Sequence, residues 1–209
     1  MNNKIDETYI IKKYFSPLSK KFKGSLCLSD DAAILDISYR KKYIVSVDNF
    51  ILGRHCPINV KAKDAINRAI ITATSDLAAM AAIPDIFFLS LSLPYKYNTK
   101  LIKELIKGIK VAMKLTNLKL AGGDICTHDG PLAICITVMG ISKNKEILYR
   151  KGAKIGDKLI VTGNIGDAKV GLDCMLKRNY ELSIKDEKKL IKKFLVPPIL
   201  HKLSFAIRN

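Results

Sequence analysis

Two stretches with helical spacing, set among short apolar runs of strand character, constrain this chain more than any other feature. Between Pro57 and Ala82, residues Ala62, Ala65, Ile66, Ala69, Ile70, Ala73 and Leu77 recur every three or four positions. That spacing puts them on one face of a helix, with Asn59 as its N-cap. Between Thr99 and Leu115 the same rhythm joins Leu101, Ile102, Leu105, Ile106, Ile109 and Met113, with Lys103, Glu104, Lys107, Lys110 and Lys114 on the outer side. Tyr43 to Val47, Phe87 to Leu93, Leu118 to Ala121 and Leu132 to Met139 are apolar and rich in β-branched or aromatic residues, and read as strands. Leu26 to Leu28 and Ala32 to Ile37 read as shorter extended pieces. Asp48 and Pro94 mark two strand ends. Glu7 to Phe15 reads as a short helix that Ser16-Pro17 terminates. The order strand, strand, helix, strand, helix, strand, strand predicts an α+β fold, a small mixed sheet with helices on one face.

A polar, glycine-punctuated segment from Arg150 to Asp157 marks a domain boundary. It divides the chain into residues 1–150 and 151–209. Beyond it, Lys158 to Thr162 reads as a strand, Gly163 to Asp167 as a turn, and Ala168 to Leu176 and Asp186 to Phe194 as helices. Pro197-Pro198 breaks the last of these. About sixty residues bury a core of their own with difficulty. The second part therefore reads as the incomplete start of an α/β C-terminal domain, ending on an apolar Leu200, Leu203, Phe205, Ala206 and Ile207.

The net charge of +17 comes almost entirely from lysines spread in pairs along the chain. Aromatic residues are not interleaved with them as a base-stacking platform requires, so no nucleic-acid partner is expected; that reading rests on charge alone. No run of eighteen apolar residues is present, so no helical membrane span or membrane partner is expected. The polar N-terminus lacks the apolar segment of a signal peptide. Five cysteines without a C-x-x-C pair read as reduced thiols in a cytoplasm.

Chemistry concentrates on aspartates. Asp30 and Asp31 are adjacent between apolar runs, and two like charges about 4 Å apart repel by roughly 4 kcal/mol. A solvated turn or a bound cation relieves that repulsion. Single aspartates recur in small or apolar settings at Asp48, Asp76 and Asp124. Asp76 either caps a second helix, Leu77 to Ala82, after a break at Thr74-Ser75, or meets a cation, and the two roles are compatible. Gly122-Gly123 reads as a tight turn or as backbone that approaches a phosphate. His55 is a solvated loop residue, or reads an anion together with Arg54. There is no G-x-x-x-x-G-K-[ST] loop, no kinase-type glycine loop and no Ser–His–Asp pattern. Dispersed carboxylates and glycine turns fit phosphoryl transfer assisted by Mg²⁺, which takes oxygen ligands and keeps several waters.

The ordered set Ser29-Asp30-Asp31-Ala32-Ala33, Val45-Ser46-Val47-Asp48, Gly53-Arg54-His55, Ser75-Asp76-Leu77-Ala78-Ala79-Met80, Ala121-Gly122-Gly123-Asp124, Arg150-Lys151-Gly152-Ala153 with Gly156-Asp157, and Val161-Thr162-Gly163 with Gly166-Asp167 resembles the thiamine-monophosphate kinase family. That family lies within the aminoimidazole-ribonucleotide-synthetase-like superfamily. The resemblance implies an α+β N-terminal domain that pairs its sheet with a twin in a homodimer, followed by an α/β domain. It implies ATP-dependent phosphorylation of thiamine phosphate to thiamine diphosphate by direct in-line transfer, with several Mg²⁺ ions and ATP as co-substrate. Carried over by position, Asp30, Ser46, Val47, Asp48, Asp76 and Asp124 hold Mg²⁺; Gly123, Asp124 and Arg150 contact ATP; His55 contacts thiamine phosphate. Asp31 has a supporting role. Val47 stands where the family has a threonine, so only its backbone carbonyl can ligate. Ser29 replaces a usual glycine and Asn49 a usual threonine. The chain stops just before the family's next acidic motif, Asp-x-Ser-Asp-Gly. The resemblance therefore also implies an alternative, a catalytically impaired dimeric fragment that retains nucleotide binding.

Overall fold

In a computed structural model of the chain, the described residues are 7–29, 42–142, 147–149, 152–178 and 180–208. Asp30, Asp31, the predicted extended piece from Ala32 to Ile37, Arg150 and the predicted domain boundary at 150–151 lie outside them. Four strands, β1 (Lys42–Ile51), β2 (Ile83–Pro94), β3 (Lys119–His128) and β4 (Ala133–Ser142), form one sheet in the order β1-β4-β2-β3. β4 runs antiparallel to both β1 and β2, while β2 and β3 are parallel. The parallel pair is joined through a helix, as parallel strands require. The sheet is thus mixed, as predicted.

The two long helices, α3 (Ala62–Ala79) and α4 (Thr99–Thr116), cover one face. Their apolar stripes meet Phe87, Leu89, Leu91 and Leu93 of β2 and Ile134, Ile136 and Val138 of β4 in one buried core. Alternation along these strands sends every second residue to the helices and the others to an open face. The α4 boundaries follow local chemistry. Asn98 accepts a hydrogen bond from the Leu101 amide at 3.1 Å, and Asn117 closes the helix with φ 61°. The second helix begins later than expected, at Ala62 with Lys61 as its cap residue, not after Asn59.

Several local expectations are corrected. The first helix does not end at Ser16-Pro17. α1 (Glu7–Ile10) passes through a π-turn, Ile11–Phe15, into α2 (Ser16–Ser19), where Pro17 occupies an early position that needs no amide donor. Leu26-Cys27-Leu28 is not a strand but part of a 3₁₀ turn, Lys23–Leu28, with Cys27 and Leu28 both left-handed. Asp48 lies inside β1, not at its end. No break occurs at Thr74-Ser75; α3 is continuous through Asp76. Gly122-Gly123 is not a turn but lies within β3. Lys158 to Thr162 is not a strand among the described residues, and Leu159 is 95% exposed. Toward the C-terminus, α5 (Asp167–Met175), α6 (Ile184–Leu195) and α7 (His201–Arg208) follow, with Phe194 buried in the main core.

Candidate functional site

The sheet's β1 edge and the C-terminal end of α3 form an oxygen-rich corner. Ser46 lies in mid-strand on the helix-facing side, and its Oγ donates to Asp76 Oδ2 at 2.5 Å. That distance is at the short limit for a hydroxyl bonded to a carboxylate. Asp48 follows two residues later on the same side, about 7 Å further along the strand. Val47 points to the open face, so only its backbone is available to the corner. Asp76 and Asp48 are both exposed.

The position of Asp76 is electrostatically unfavourable for a purely structural residue. It sits in the last turn of α3, where unpaired carbonyls carry negative charge, and an anion there costs about 0.3–1 kcal/mol. It caps no following helix. Among the described residues, no lysine or arginine forms an ion pair with Asp48, Asp76 or Asp124 in this chain of net charge +17. Asp85, Asp167, Asp173 and Glu104, by contrast, each pair with a basic side chain. Hard oxygen donors without a cationic partner fit Mg²⁺ in chemistry. Among the described residues, no group of three or more His, Cys, Asp or Glu forms a cage by itself.

Asp124 stands apart from this corner. The rows of paired residues run Asp48–Ile136–Leu89–Gly123 and Asn49–Cys135–Ser90–Asp124 across the sheet. Asp124 is therefore on the opposite edge strand, about 14 Å away by three strand spacings, and on the open face. The described residues of one chain do not bring Asp124 to Ser46, Asp48 and Asp76. Gly123 is on the helix-facing side, where a Cβ would lie 1.9 Å from the Leu89 carbonyl oxygen. Glycine here permits the close strand approach, without which β2 and β3 separate.

His55 closes a tight loop after β1. Its Nδ1 accepts a hydrogen bond from the Ile51 amide at 2.9 Å, which leaves the ring proton on an exposed Nε2. The ring lies 5.7 Å from that of Phe50. Arg150 is outside the described residues, but the preceding chain returns to the end of α3, where the Leu148 amide donates to the Met80 carbonyl at 3.4 Å.

Reading the sequence alone misses the polar row Asn49, Cys135, Ser90 and Asp124 on the open face. Its signal is the alternation of Ser90 and Ser92 with Leu89, Leu91 and Leu93. It also misses Asp173, which is buried and accepts from Lys169, Arg178 and Tyr180. The i, i+4 spacing of Lys169 and Asp173 was the available sign.

Residues 29–142 match the family model of the AIR synthase related protein, N-terminal domain. The thiamine-monophosphate kinase of Buchnera aphidicola subsp. Schizaphis graminum is 33% identical over 205 residues, covering 98% of this chain and 62% of that protein. The crystal structure of thiamine-monophosphate kinase from Stenotrophomonas maltophilia K279a superposes with a TM-score of 0.78 at 30% identity, over 87% of this chain and 58% of that one. AaThiL complexed with AMPPCP and TMP superposes with a TM-score of 0.75 at 25% identity, over 86% of this chain and 57% of that one. The chain thus spans about 60% of the length of the relatives it matches.

Proposed function

Because the chain belongs to the AIR synthase related family, with thiamine-monophosphate kinases among its relatives, we propose that it serves the phosphorylation of thiamine phosphate to thiamine diphosphate by ATP. The observation that carries this reading is the corner of Ser46, Asp48 and Asp76, three oxygen-bearing side chains without a basic partner among the described residues. AMPPCP and TMP in a structural relative support a nucleoside triphosphate and a thiamine phosphate as the two substrates.

In this reading Asp30, Ser46, Asp48, Asp76 and Asp124 hold Mg²⁺ through oxygen, with the Val47 carbonyl as a further donor. Bound Mg²⁺ supplies neutralisation of the charge on the phosphate oxygens. The chain's own part is positioning. Gly123, Asp124 and Arg150 orient ATP, and the exposed Nε2 of His55 donates to the phosphate of thiamine phosphate. An oxygen of that phosphate attacks the γ-phosphorus in line, and the bond from the γ-phosphorus to the β,γ-bridging oxygen breaks to release ADP.

A homodimer through the open face of the sheet belongs to the same proposal. Val45 and Val47 are 53% and 60% exposed on that face, and Asp124 lies on it too. A second copy there would cover the valines and enclose Asp124. Residues 1–150 then serve as the metal, nucleotide and dimerisation domain and residues 151–209 as the start of a C-terminal domain. A cytoplasmic location fits five cysteines that are all free. No helix of the described residues is long and apolar enough to cross a membrane.

The test is a coupled assay of ADP release with ATP, Mg²⁺ and thiamine phosphate, run beside calorimetric titration of the chain with Mg²⁺ and AMPPCP. Turnover that requires both substrates supports the proposal. Absence of Mg²⁺-dependent nucleotide binding at millimolar concentrations would overturn it.

A further inference from the structure

Two of the C-terminal helices, α6 and α7, meet α3 at a seam. All three buried side-chain atoms without a hydrogen-bond partner among the described residues belong to elements of this seam: Asn67 Oδ1 and Arg68 Nε on α3, and His201 Nδ1 on α7. Asn67 and His201 are both buried. An unpaired buried polar group opposes the contact that buries it, because separation would return it to water.

One arrangement works against that opposition. Arg68 reaches across the seam to α6, 126 residues away, where its Nη1 donates to the Phe194 carbonyl oxygen. Its guanidinium carbon also lies 4.0 Å from the centroid of the Phe194 ring. The acceptor is in the last turn of α6, where carbonyls lack intrahelical donors and a cation is favoured. Phe194 thereby offers one side chain two things, a carbonyl and a π-face. Apart from this junction, α5 and α6 pack chiefly against each other, bridged by an ion pair between Lys193 and Asp167, while Asp173 ties α5 to the loop that follows it through Lys169, Arg178 and Tyr180.

The chain that leads into this unit is built to bend. Residues 152–166 form neither helix nor strand. Gly152, Gly156, Gly163 and Gly166 all have positive φ, and beyond the adjoining residues no atom lies within 4 Å of a Cβ placed on any of them. Ile155 and Leu159 are exposed and anchor nothing among the described residues.

We infer that α5 and α6 form a hinged unit that undocks from α3 as one body, with residues 152–166 as the hinge and the Arg68–Phe194 contact as the latch, while α7 keeps its own contact with α3. Arg68 is a positioning residue in this device. It sets where the C-terminal unit rests on the helix that also carries Asp76, and the inference stands whether or not the kinase reading does.

Amide hydrogen exchange on the whole chain tests this without any ligand. In the native protein, α5 and α6 should exchange together and about tenfold or more faster than β2 and β4. Arg68→Ala should speed α5 and α6 by a further factor of about ten and leave β2 and β4 unchanged. Phe194→Leu keeps the carbonyl and most apolar volume but loses the ring. Combined with Arg68→Ala, it should add less than it does on its own, because the ring's contact with Arg68 is already lost and only its packing in the core remains to be lost. Multiplying effects would mean that the two residues act separately, and would overturn the latch. Protection of α6 equal to that of β4, or loosening of α6 and β4 in step, would overturn the hinged unit. The milder Arg68→Lys keeps the charge and loses the planar stack, and should show the same pattern at smaller amplitude.

Discussion

Ser46 Oγ donates to Asp76 Oδ2 at 2.5 Å, tying the middle of an edge strand to the last turn of a helix thirty residues later. Asp76 occupies the end of α3 that repels an anion, so its removal should not harm the fold. Asp76→Asn is expected to weaken binding of Mg²⁺–AMPPCP by about tenfold or more, the scale of a lost charged contact. The thermal midpoint in metal-free buffer should move by less than about 2 °C. Ser46→Ala should weaken binding less, by about three- to tenfold, since a hydroxyl contributes about 1 kcal/mol. Titration calorimetry and thermal melts check both. A large loss of stability with unchanged binding would assign the pair to the fold alone.

Gly122 and Gly123 separate two explanations of the glycine pair. A methyl at Gly123 would sit 1.9 Å from the Leu89 carbonyl oxygen, whereas at Gly122 it would lie 3.2 Å from the Phe88 ring. Backbone cannot yield there without parting β2 from β3. Gly123→Ala should therefore cost about 3 kcal/mol or more, and Gly122→Ala about 1 kcal/mol or less. Urea unfolding at neutral pH gives both values. Equal costs would mean that strand approach is not what fixes Gly123.

The contrast between these neighbours also explains what could be read in advance. α3 and α4 were legible because their apolar spacing is set by burial against a sheet, and burial of Ile66, Ile70, Leu105 and Ile109 follows it. The face of Asp124 was not legible. A register shift between Phe87 and Phe88 places Leu120 opposite Phe87 but Gly122 opposite Phe88, so one residue of β3 is extra. That bulge reverses the alternation and turns Asp124 to the open face. Leu26-Cys27-Leu28 failed because three apolar residues do not distinguish a strand from a helical turn. Lys158 to Thr162 has strand composition, but strand preference expresses packing against a neighbour, and none is present among the described residues. The Ser46–Asp76 contact joins two motifs that the sequence singled out separately, and only the fold brings them within reach.

Asp173 carries a pH dependence of its own. Hydrogen bonds from Lys169 and Tyr180, with the charges of Lys169 and Arg178, hold its carboxyl below the ordinary value of 3.8 despite burial. A carboxylate depressed in the folded state stabilises the fold fully above its unfolded pKa. That stabilisation is lost as pH falls through the folded value. The native chain should therefore lose this contribution to its stability below about pH 4. Asp173→Asn should be less stable at pH 7 and show a shallower acid limb. Urea midpoints by circular dichroism at pH 7, 4 and 2.5 read the difference. Parallel acid limbs would assign the dependence to other carboxylates.

Thiol reactivity should divide the five cysteines. Cys56 is buried beside Arg68, and desolvation pushes its thiol up to about 11. Thiolate is the reactive form, so Cys56 should be silent to a disulfide reagent at pH 8 until the protein unfolds. Cys27 and Cys126 are exposed and should react first. Because the Cys126 thiol lies 3.3 Å from the Ser92 hydroxyl on the open face, its rate also reports cover over that face. Counting thiols released with and without denaturant, with mass mapping, checks the order. Fast labelling of Cys56 in the native state would contradict its burial.

The open face gives the last test, and it needs no substrate. Val45 and Val47 project from an edge strand where alternation alone would place polar residues. β1 and its neighbour β4 leave Met139 and Ile141 on the same side, half-buried. If a second copy covers this face, Val45→Lys puts a charge into the contact on each copy of a chain already at +17. Burying such a charge unpaired costs several kcal/mol, enough to shift a dimer to monomers at micromolar concentration. The same substitution leaves the helix-facing core untouched, so the thermal midpoint of the monomer should stay within about 2 °C. Sedimentation velocity on the native chain and on Val45→Lys decides the point. A native monomer, or a dimer indifferent to lysine at this position, would place the self-contact elsewhere and leave Asp124 on an uncovered surface.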